Sequence, residues 1–209
     1  LPIESNYMMM VDNLMDLTHL AYVHAKTIGG NPQAHSRAEV DSRETDTGAH
    51  YIRWMEDATP PPTYQKAVGF EGNVDRWWDF EFVAPSSVIQ WNCAVDVGKG
   101  ARENQDQPGF HLRLFHSATP ETDTTFHYFW SAANGYQQDD PEATDVLYSE
   151  IAPTFLEDKM IMEGQQARID LDPDRPLVTI PSDKALTHAR TAIRRLIAEE
   201  RAELAQAAE

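Results

Sequence analysis

The first part of the chain has a helical pattern of apolar residues. Between residues 6 and 24 they recur at helical spacing, and Gly29-Gly30 with Asn31-Pro32 marks the end of that element. We expect the polar stretch that follows, to about Gly48, to be a loop. The apolar positions of the helical segment are Met10, Val11, Leu14, Leu17 and Leu20.

The middle of the chain has the two-residue period that is typical of strands. Alternate apolar side chains share one face in residues 50–54, 78–82, 89–95, 110–116 and 126–130. Turn signals separate these segments at residues 60–62, 85–87, 98–100 and 119–121. Strands of period two that are joined by short turns predict an antiparallel sheet.

Helical spacing returns in the last third of the chain. Pro141 suits the first turn of a helix, which we expect to bend at Pro153 and to run through Gln166. Ser182 is a candidate N-cap for a final helix. The apolar residues of that helix are Leu186, Ile193, Leu196, Ile197 and Leu204. The order of helix, strands and long helices predicts an α+β domain, a curved antiparallel sheet that wraps helices around an apolar pocket.

Composition and charge exclude several classes of protein. The formal net charge of -17 argues against nucleic-acid binding, because a polyanion gains nothing from a phosphate backbone. No apolar run approaches the roughly 18 residues of a membrane span, and no signal peptide is visible, so we expect a cytoplasmic protein. The single cysteine, Cys93, excludes an internal disulfide and indicates a small buried side chain.

The opening helical segment carries the candidate chemistry. Asn13, Asp16 and His19 are spaced three residues apart and therefore follow one stripe of a helix. His24 lies about 140° further round an ideal helix, so both imidazoles can meet one metal ion only if the helix is distorted or ends between them. The HExxH pattern of zinc proteases is absent.

Two imidazoles and one carboxylate on one side of an ion leave positions open for O₂ and substrate, an arrangement that selects Fe(II) in oxygenases. The alternative is that His19 and His24 are two ordinary histidines, satisfied by their surroundings. The residues alone leave both interpretations open.

The spacing Asn13-x-x-Asp16-x-x-His19-x-x-x-x-His24 resembles the iron motif of the Rieske non-haem iron oxygenases. The wider sequence resembles the subgroup of the vanillate O-demethylase oxygenases and dicamba monooxygenase. The stretches that carry this likeness are residues 11–19, 116–122, 127–129, 139–142 and 157–159, followed by Glu163 and Gln165-Gln166. They are spread over most of the 209 residues.

The resemblance implies roles for particular residues. His19, His24 and Asp158 would be the three iron ligands. Asp16 would be the catalytic bridging carboxylate, which accepts the second ring N–H of a ligand histidine and links it to a Rieske cluster on a neighbouring subunit. Asn13 would be a polar group beside the iron, although capping a neighbouring backbone group is an equally good role.

Glu157 competes with Asp158 for the ligand position, but Asp158 fits the Asp-x-x-x-x-Glu pattern with Glu163. Three residues are candidate substrate contacts: His127, Asn92 and Ser149. His127 resembles the position that meets the acidic end of the substrate, or else it is a histidine satisfied on the sheet surface. Ser149 stands where the dicamba enzyme has a tryptophan.

The family also implies a fold, cofactors and partners. The fold would be a helix-grip (START-like) domain in a homotrimer, binding mononuclear Fe(II), O₂ and an aromatic substrate. A Rieske [2Fe–2S] cluster needs two cysteines and two histidines, so we expect it in a domain upstream of Leu1 that this chain lacks, with residues 1–209 forming the single catalytic domain. Electrons would come from NAD(P)H through a reductase with a flavin and an iron–sulfur centre.

The implied reaction is demethylation of an aromatic methyl ether such as vanillate, with release of formaldehyde. One alternative is a related mono-oxygenase that hydroxylates another aromatic compound. Another is a metal-free helix-grip module that binds a hydrophobic ligand, and a third is a subunit that only builds an oligomer.

Overall fold

An antiparallel sheet frames the protein. The computed structural model describes residues 1–207, and within them seven strands pair in the order β1-β7-β6-β5-β4-β3-β2. The strands are β1 (Pro2–Ile3), β2 (Glu39–Glu44), β3 (Gly48–Ala58), β4 (Val74–Val83), β5 (Ser87–Asp96), β6 (Phe110–Thr122) and β7 (Thr125–Asn134). Five strands in sequence order, β3 to β7, are therefore neighbours in space, as the alternating pattern predicts.

The helices precede, interrupt and follow the sheet. They are α1 (Met8–Met15), α2 (Leu20–Val23), α3 (Pro32–Arg37), α4 (Pro62–Val68), α5 (Pro141–Ile169) and α6 (Lys184–Ala207). Single 3₁₀ turns cover Leu17–His19 and Pro181–Asp183. The described part of the chain contains no helix that is both long and apolar enough to cross a membrane.

The main core lies between one face of the sheet and the helices α1, α5 and α6. Phe80 and Phe82 of β4 are fully buried there, packed in one cluster with Met10 of α1, Phe155 of α5 and Ala189 of α6. The period of two puts alternate strand residues on this face, where burial of apolar area stabilises the fold. The predicted α+β architecture, a sheet gripping long helices, is confirmed.

A small cluster covers part of the opposite face of the sheet. Trp54 stacks on Trp77, and both pack with Cys93 and with Ala101 of the segment that joins β5 to β6. Cys93 is buried and unpaired, as expected for a small side chain in a strand. Burial raises the pKa of its thiol to about 12, so the group stays protonated.

The polar stretch before Gly48 is not a loop. It forms α3 and then β2, the edge strand that pairs with β3. Asn31-Pro32 begins this helix, because the Asn31 side chain accepts a hydrogen bond from the Gln33 amide and Pro32 takes the first turn. Five of the six β2 side chains are exposed, so the strand shows no alternation of hydropathy.

Two of the predicted turns are wrong. Pro61 and Pro62 cap and open α4 instead of forming a turn. Residues 119–121 continue β6, which pairs with β7 as far as Thr122, and the reversal falls at residues 123–124. Proline is tolerated at Pro120 although β6 is an inner strand, since the ladder has an irregularity at that point.

Of the two long helices, α5 agrees with the prediction, since it begins at Pro141, contains Pro153 and runs through Gln166, ending at Ile169. The last helix differs from the prediction. Ser182 does not cap the last helix; the Asp183 carboxylate accepts the Ile180 amide instead. Helix α6 faces the core mainly through alanines, which let it approach the sheet closely, while Leu196, Ile197 and Leu204 are exposed.

Candidate metal centre

The opening helical segment breaks at Asp16. Helix α1 ends at Met15, and Asp16 adopts an extended conformation before the 3₁₀ turn Leu17–His19. The Asp16 carboxylate caps this turn, accepting the Thr18 amide at 3.0 Å and the Thr18 hydroxyl at 2.9 Å. His19 is the last residue of this turn, and His24 follows the end of α2 at Val23, so no regular helix spans both residues and the two histidines, which an ideal helix would separate, turn towards one point.

Three ligand atoms meet at that point. His19 and His24 each offer a ring nitrogen, and Asp158 of α5 offers a carboxylate oxygen, all within 4.8 Å of one another. The Asp158 Oδ1 atom lies 3.0 Å from His24 Nε2 and 3.6 Å from His19 Nε2. Asp158 is buried, so its charge is placed where water cannot solvate it fully and a cation would offset the cost.

Asn13 holds the Asp158 carboxylate in place by a hydrogen bond. Its side-chain amide donates to Asp158 Oδ1 at 3.0 Å. Asn13 thus lies beside the ligand atoms, and its contact is with a side chain from α5, not with a neighbouring backbone group.

The second ring nitrogen of each histidine also has an acceptor. His19 Nδ1 donates to the Asp16 carbonyl at 2.8 Å, and His24 Nδ1 donates to Glu157 Oε2 at 2.7 Å. Both partners accept only, so each Nδ1 carries the proton and each Nε2 faces the ligand cluster. The Asp16 carboxylate does not bond the ring; its oxygens are held by Thr18, and the main-chain oxygen of Asp16 takes the ring proton.

The surroundings shift the pKa values of the two histidines in opposite directions. Burial lowers the pKa of His19, and the nearby Asp158 offsets only part of that effect. For His24, burial also favours the neutral ring, but hydrogen bonds and charge from Asp158 and Glu157 outweigh it and raise the pKa. Without a cation these two carboxylates therefore favour the protonated form of the His24 ring.

The donor set fits a divalent transition-metal ion. Two neutral imidazoles and one carboxylate on one side of an ion hold Fe(II) in oxygenases, and a similar set holds Zn²⁺ in some hydrolases. Glu157 does not compete with Asp158 for the ion in this arrangement, because its oxygen is engaged at the far side of the His24 ring.

A largely apolar cavity opens directly onto the three ligand residues. It lies between α1, α5 and the inner face of the sheet, and most of its accessible lining surface is apolar. Besides the ligand residues, the lining comprises Asn13, Leu14, Leu17, Leu20, Ile28, Thr63, Tyr64, Gln90, Asn92, Phe110, Leu112, Leu114, Ile151, Thr154 and Phe155. Such a cavity suits a small aromatic molecule with a few polar substituents.

The structure brings only one of the three candidate substrate contacts to this cavity. Asn92 lines it, and its Oδ1 atom is buried without a hydrogen-bond partner among residues 1–207. His127 points outward from β7, because the buried positions of that strand are Phe126 and Tyr128. Ser149 is exposed on the outer side of α5, with its hydroxyl bonded to the Val146 carbonyl.

Sequence reasoning missed Glu157 as a partner of His24, and it missed the polar group formed by Gln90, His116 and Tyr128 at the cavity wall. The sequence contained a pattern that could have identified Gln90 as a cavity residue. Gln90 lies two residues before Asn92 on β5, so both amides share the inner face of the sheet.

A match to a family of known proteins distinguishes the iron of oxygenases from the zinc of hydrolases. The model of the vanillate O-demethylase oxygenase C-terminal domain matches residues 3–199. The chain belongs to this family. The vanillate O-demethylase oxygenase family comprises Rieske-type oxygenases, so the resemblance inferred from the iron motif is confirmed.

Curated relatives of this chain are longer proteins. The vanillate O-demethylase oxygenase subunit of Pseudomonas sp. (strain ATCC 19151) is 34% identical over 98% of this chain and 63% of its own length. The toluene-4-sulfonate monooxygenase iron–sulfur subunit of Comamonas testosteroni is 32% identical over 93% of this chain and 56% of its own length. The chain thus spans about 56–63% of these relatives.

A solved structure shows the same fold. Dicamba monooxygenase bound to 3,6-dichlorosalicylic acid matches 96% of this chain and 58% of its own length, with a TM-score of 0.85 and 28% identity.

Proposed function

We propose that this chain is the catalytic domain of an oxygenase component that uses O₂ at a mononuclear Fe(II) to demethylate an aromatic methyl ether such as vanillate. The observation that carries the proposal is the convergence of His19, His24 and Asp158 on one wall of an apolar cavity. Family membership supports Fe(II) as the ion.

Bound Fe(II) would supply O₂ activation at its open positions. The protein side of the chemistry is positioning and exclusion of water. Asp16 and Glu157 accept the Nδ1 protons of the two histidines, so both Nε2 atoms would be free to hold the ion. Asn13 restrains Asp158, and the apolar cavity walls keep the reacting methyl group out of bulk water.

The overall reaction inserts one oxygen atom into the methyl group and releases the other as water. The hydroxylated methyl group leaves as formaldehyde, and the product is a phenol. The two electrons would come from NAD(P)H through a reductase with a flavin and an iron–sulfur centre, and then through a Rieske [2Fe–2S] cluster in an N-terminal domain of the full-length protein.

The electron path would enter at Asp16 in a homotrimer. Asp16 is bonded to His19 through its main-chain carbonyl and lines a surface cleft. In this proposal Asp16 bridges a neighbouring subunit's cluster to His19 through its backbone, while its carboxylate keeps the turn in place.

A second candidate is hydroxylation of a methyl group or ring carbon of another aromatic compound. The relative named for toluene-4-sulfonate favours it, since that compound has no ether methyl group. Product analysis separates the two candidates: formaldehyde together with a phenol supports demethylation, whereas a benzylic alcohol or a ring-hydroxylated product supports hydroxylation.

Metal binding tests the proposal directly. Purified protein titrated anaerobically with Fe(II) should bind one ion per chain, and His19→Ala or His24→Ala should abolish that binding. His127→Ala is the matched control, because His127 is exposed and is not one of the three residues of the ligand cluster. If the unaltered protein binds no ion and neither replacement changes that result, the metal-free binding module is the better description.

A further inference from the structure

Three polar side chains of α5 hold the main chain of the first six residues, which we call the leading segment (Leu1–Asn6). The contacts are Lys159 Nζ to the Pro2 carbonyl at 2.7 Å, the Glu4 amide to Glu163 Oε1 at 3.0 Å and the Asn6 amide to Gln166 Oε1 at 2.9 Å. These three contacts are the clamp. They alternate along the leading segment, at every second residue.

The clamp takes the place of a neighbouring strand. Leu1 exchanges both main-chain hydrogen bonds with Tyr128 of β7, at 2.7 and 2.8 Å, so the odd-numbered residues of the leading segment turn their main-chain groups towards the sheet. The even-numbered residues turn theirs towards α5. A helix has no free main-chain groups along its length, so side chains supply the partners.

The two repeats match in spacing. Residues 159, 163 and 166 are four and three apart, so they follow one stripe of α5. One helical turn rises about 5.4 Å, and residues two apart in an extended chain are about 6.6 Å apart. Consecutive side chains of the stripe can therefore reach consecutive even-numbered residues of the leading segment.

The clamp lies where the two ligand-bearing parts of the chain meet. The leading segment runs directly into α1, because the Asn6 side chain accepts the first helical amide of α1 at 2.9 Å. His19 and His24 follow α1, whereas Asp158 belongs to α5 and directly precedes the first clamp residue. Apolar packing between α1 and α5 is not directional, so hydrogen bonds decide their register.

We propose that the clamp positions the metal ligands. By holding the leading segment it sets the register of α1 on α5, and with it the place of the two histidines relative to Asp158. A metal site needs its ligands within about 0.5 Å of the productive geometry, so a small slip of α1 weakens binding of the ion. Lys159, Glu163 and Gln166 are thus positioning residues, and none of them belongs to the ligand cluster. This inference rests on the proposed function, because it concerns the same metal centre.

Paired variants of Glu163 test the positioning role. Glu163→Met and Glu163→Gln both lose the charge and the ion pair with Lys159, but only Glu163→Gln keeps an acceptor for the Glu4 amide. The double variant Glu163→Met/Gln166→Met removes two acceptors at nearly unchanged side-chain length. In anaerobic titration with Co(II) it should lose about tenfold in affinity, whereas Glu163→Gln should lose less than about threefold.

Glu150→Met is the matched control on the same helix. The Glu150 carboxylate bonds Lys66 of α4 at 2.6 Å instead of the leading segment, so its loss weakens the attachment of α5 without releasing the clamp. Co(II) affinity should change less than about twofold in this variant. If Glu150→Met loses as much affinity as the double variant, the effect is a general loosening of α5 and the inference is wrong.

Amide exchange in the unaltered protein gives a second test that needs no variant. Coupling between two sites is reciprocal, so an ion that is bound more tightly with the clamp closed must also close the clamp. Saturation with Zn²⁺, a diamagnetic ion, should slow exchange of the Glu4 and Asn6 amides about tenfold in NMR spectra. The Asp57 amide, which donates to the Asp75 carboxylate at 3.0 Å, is the control and should change less than about twofold.

The outcomes separate the inference from the proposed function. If the unaltered protein binds Co(II) and Zn²⁺, but the double variant binds Co(II) equally well or the ion leaves exchange at Glu4 and Asn6 unchanged, the inference is wrong and the oxygenase proposal stands. If the unaltered protein binds neither ion nor Fe(II), both are wrong.

Discussion

Removal of the Glu157 carboxylate should weaken metal binding although Glu157 is not a ligand. His24 is 1% exposed, and its Nδ1 proton has one acceptor, Glu157 Oε2, at 2.7 Å. Glu157→Ala leaves that donor without a protein partner, and the ring can then place its proton on the nitrogen that should bind the ion. Loss of such a partner costs about 10–100-fold in metal affinity.

The solvent exposure of Glu157 limits the expected loss of metal affinity. Its side chain is 39% exposed, so a water molecule can replace part of the lost interaction. We therefore expect a loss near the lower end, about tenfold, which corresponds to about 1.4 kcal/mol. Glu157→Gln keeps an acceptor oxygen without the charge and should lose about threefold, since charge-assisted hydrogen bonds are roughly twice as strong as neutral ones.

The assay is anaerobic titration with Co(II), followed by its visible absorption, with Fe(II) as a second ion. Glu203→Gln on the exposed side of α6 is the control for one lost negative charge. If Glu157→Ala binds Co(II) as tightly as the unaltered protein while His24→Ala does not bind it, the orienting role of Glu157 is refuted.

Three further predictions concern the rest of the fold. His116 is held neutral, with a pKa of about 3, so its stabilising contribution is complete above pH 6.5 and decreases as the pH falls below that value. Urea unfolding should show that the stability lost between pH 7 and pH 5.5 is about 1 kcal/mol smaller in His116→Gln than in the unaltered protein. Phe80→Ala should cost about 3–5 kcal/mol in the same assay, because Phe80 is fully buried; a loss below about 1 kcal/mol would contradict its place in the core. Cys93 should react with a thiol reagent at pH 8 at least about 100-fold more slowly in folded than in urea-unfolded protein, and equal rates would contradict its burial.

The regular part of the fold followed from the sequence because burial on one face imposes a period. Trp78, Phe80 and Phe82 alternate with polar residues, and that pattern alone places β4 in a half-buried sheet. Strand β2 could not be found in this way, since an edge strand gains its stability from backbone pairing and needs no apolar side chains. Helix α4 was missed because a proline that opens a helix has the same signature as a proline in a turn.

The sequence predicted the part of the candidate metal centre whose residues are close together along the chain. His19 and His24 lie in one segment, and their angular separation predicted a helix that is distorted or ends between them. The structure confirms it, because a 3₁₀ turn ends at His19 and α2 ends at Val23, before His24. Asp158 comes from a helix 134 residues away from His24, and no local pattern distinguishes it from other acidic residues of α5. Only the likeness to a family singled it out.

Long-range polar contacts were the least predictable part. The link from Tyr128 through His116 to Gln90 joins three strands, and it depends on the register of each pair. Periodicity gives the face of a residue but not its neighbour across the sheet. His127 was proposed as a substrate contact from its resemblance to a family position, although the period of two already put it on the face opposite Tyr128, the residue that faces inward.

The separation of the ligand residues along the chain has a consequence for folding. An ion held by His24 and Asp158 acts as a cross-link that closes a loop between residues 134 positions apart. An unfolded chain cannot present both groups at once, so the ion binds the native state preferentially, and free metal at about 100 times its dissociation constant would add about 2.7 kcal/mol of stability. Melting temperature should therefore report metal occupancy, and chelation should lower it most in the protein whose ligand cluster is intact.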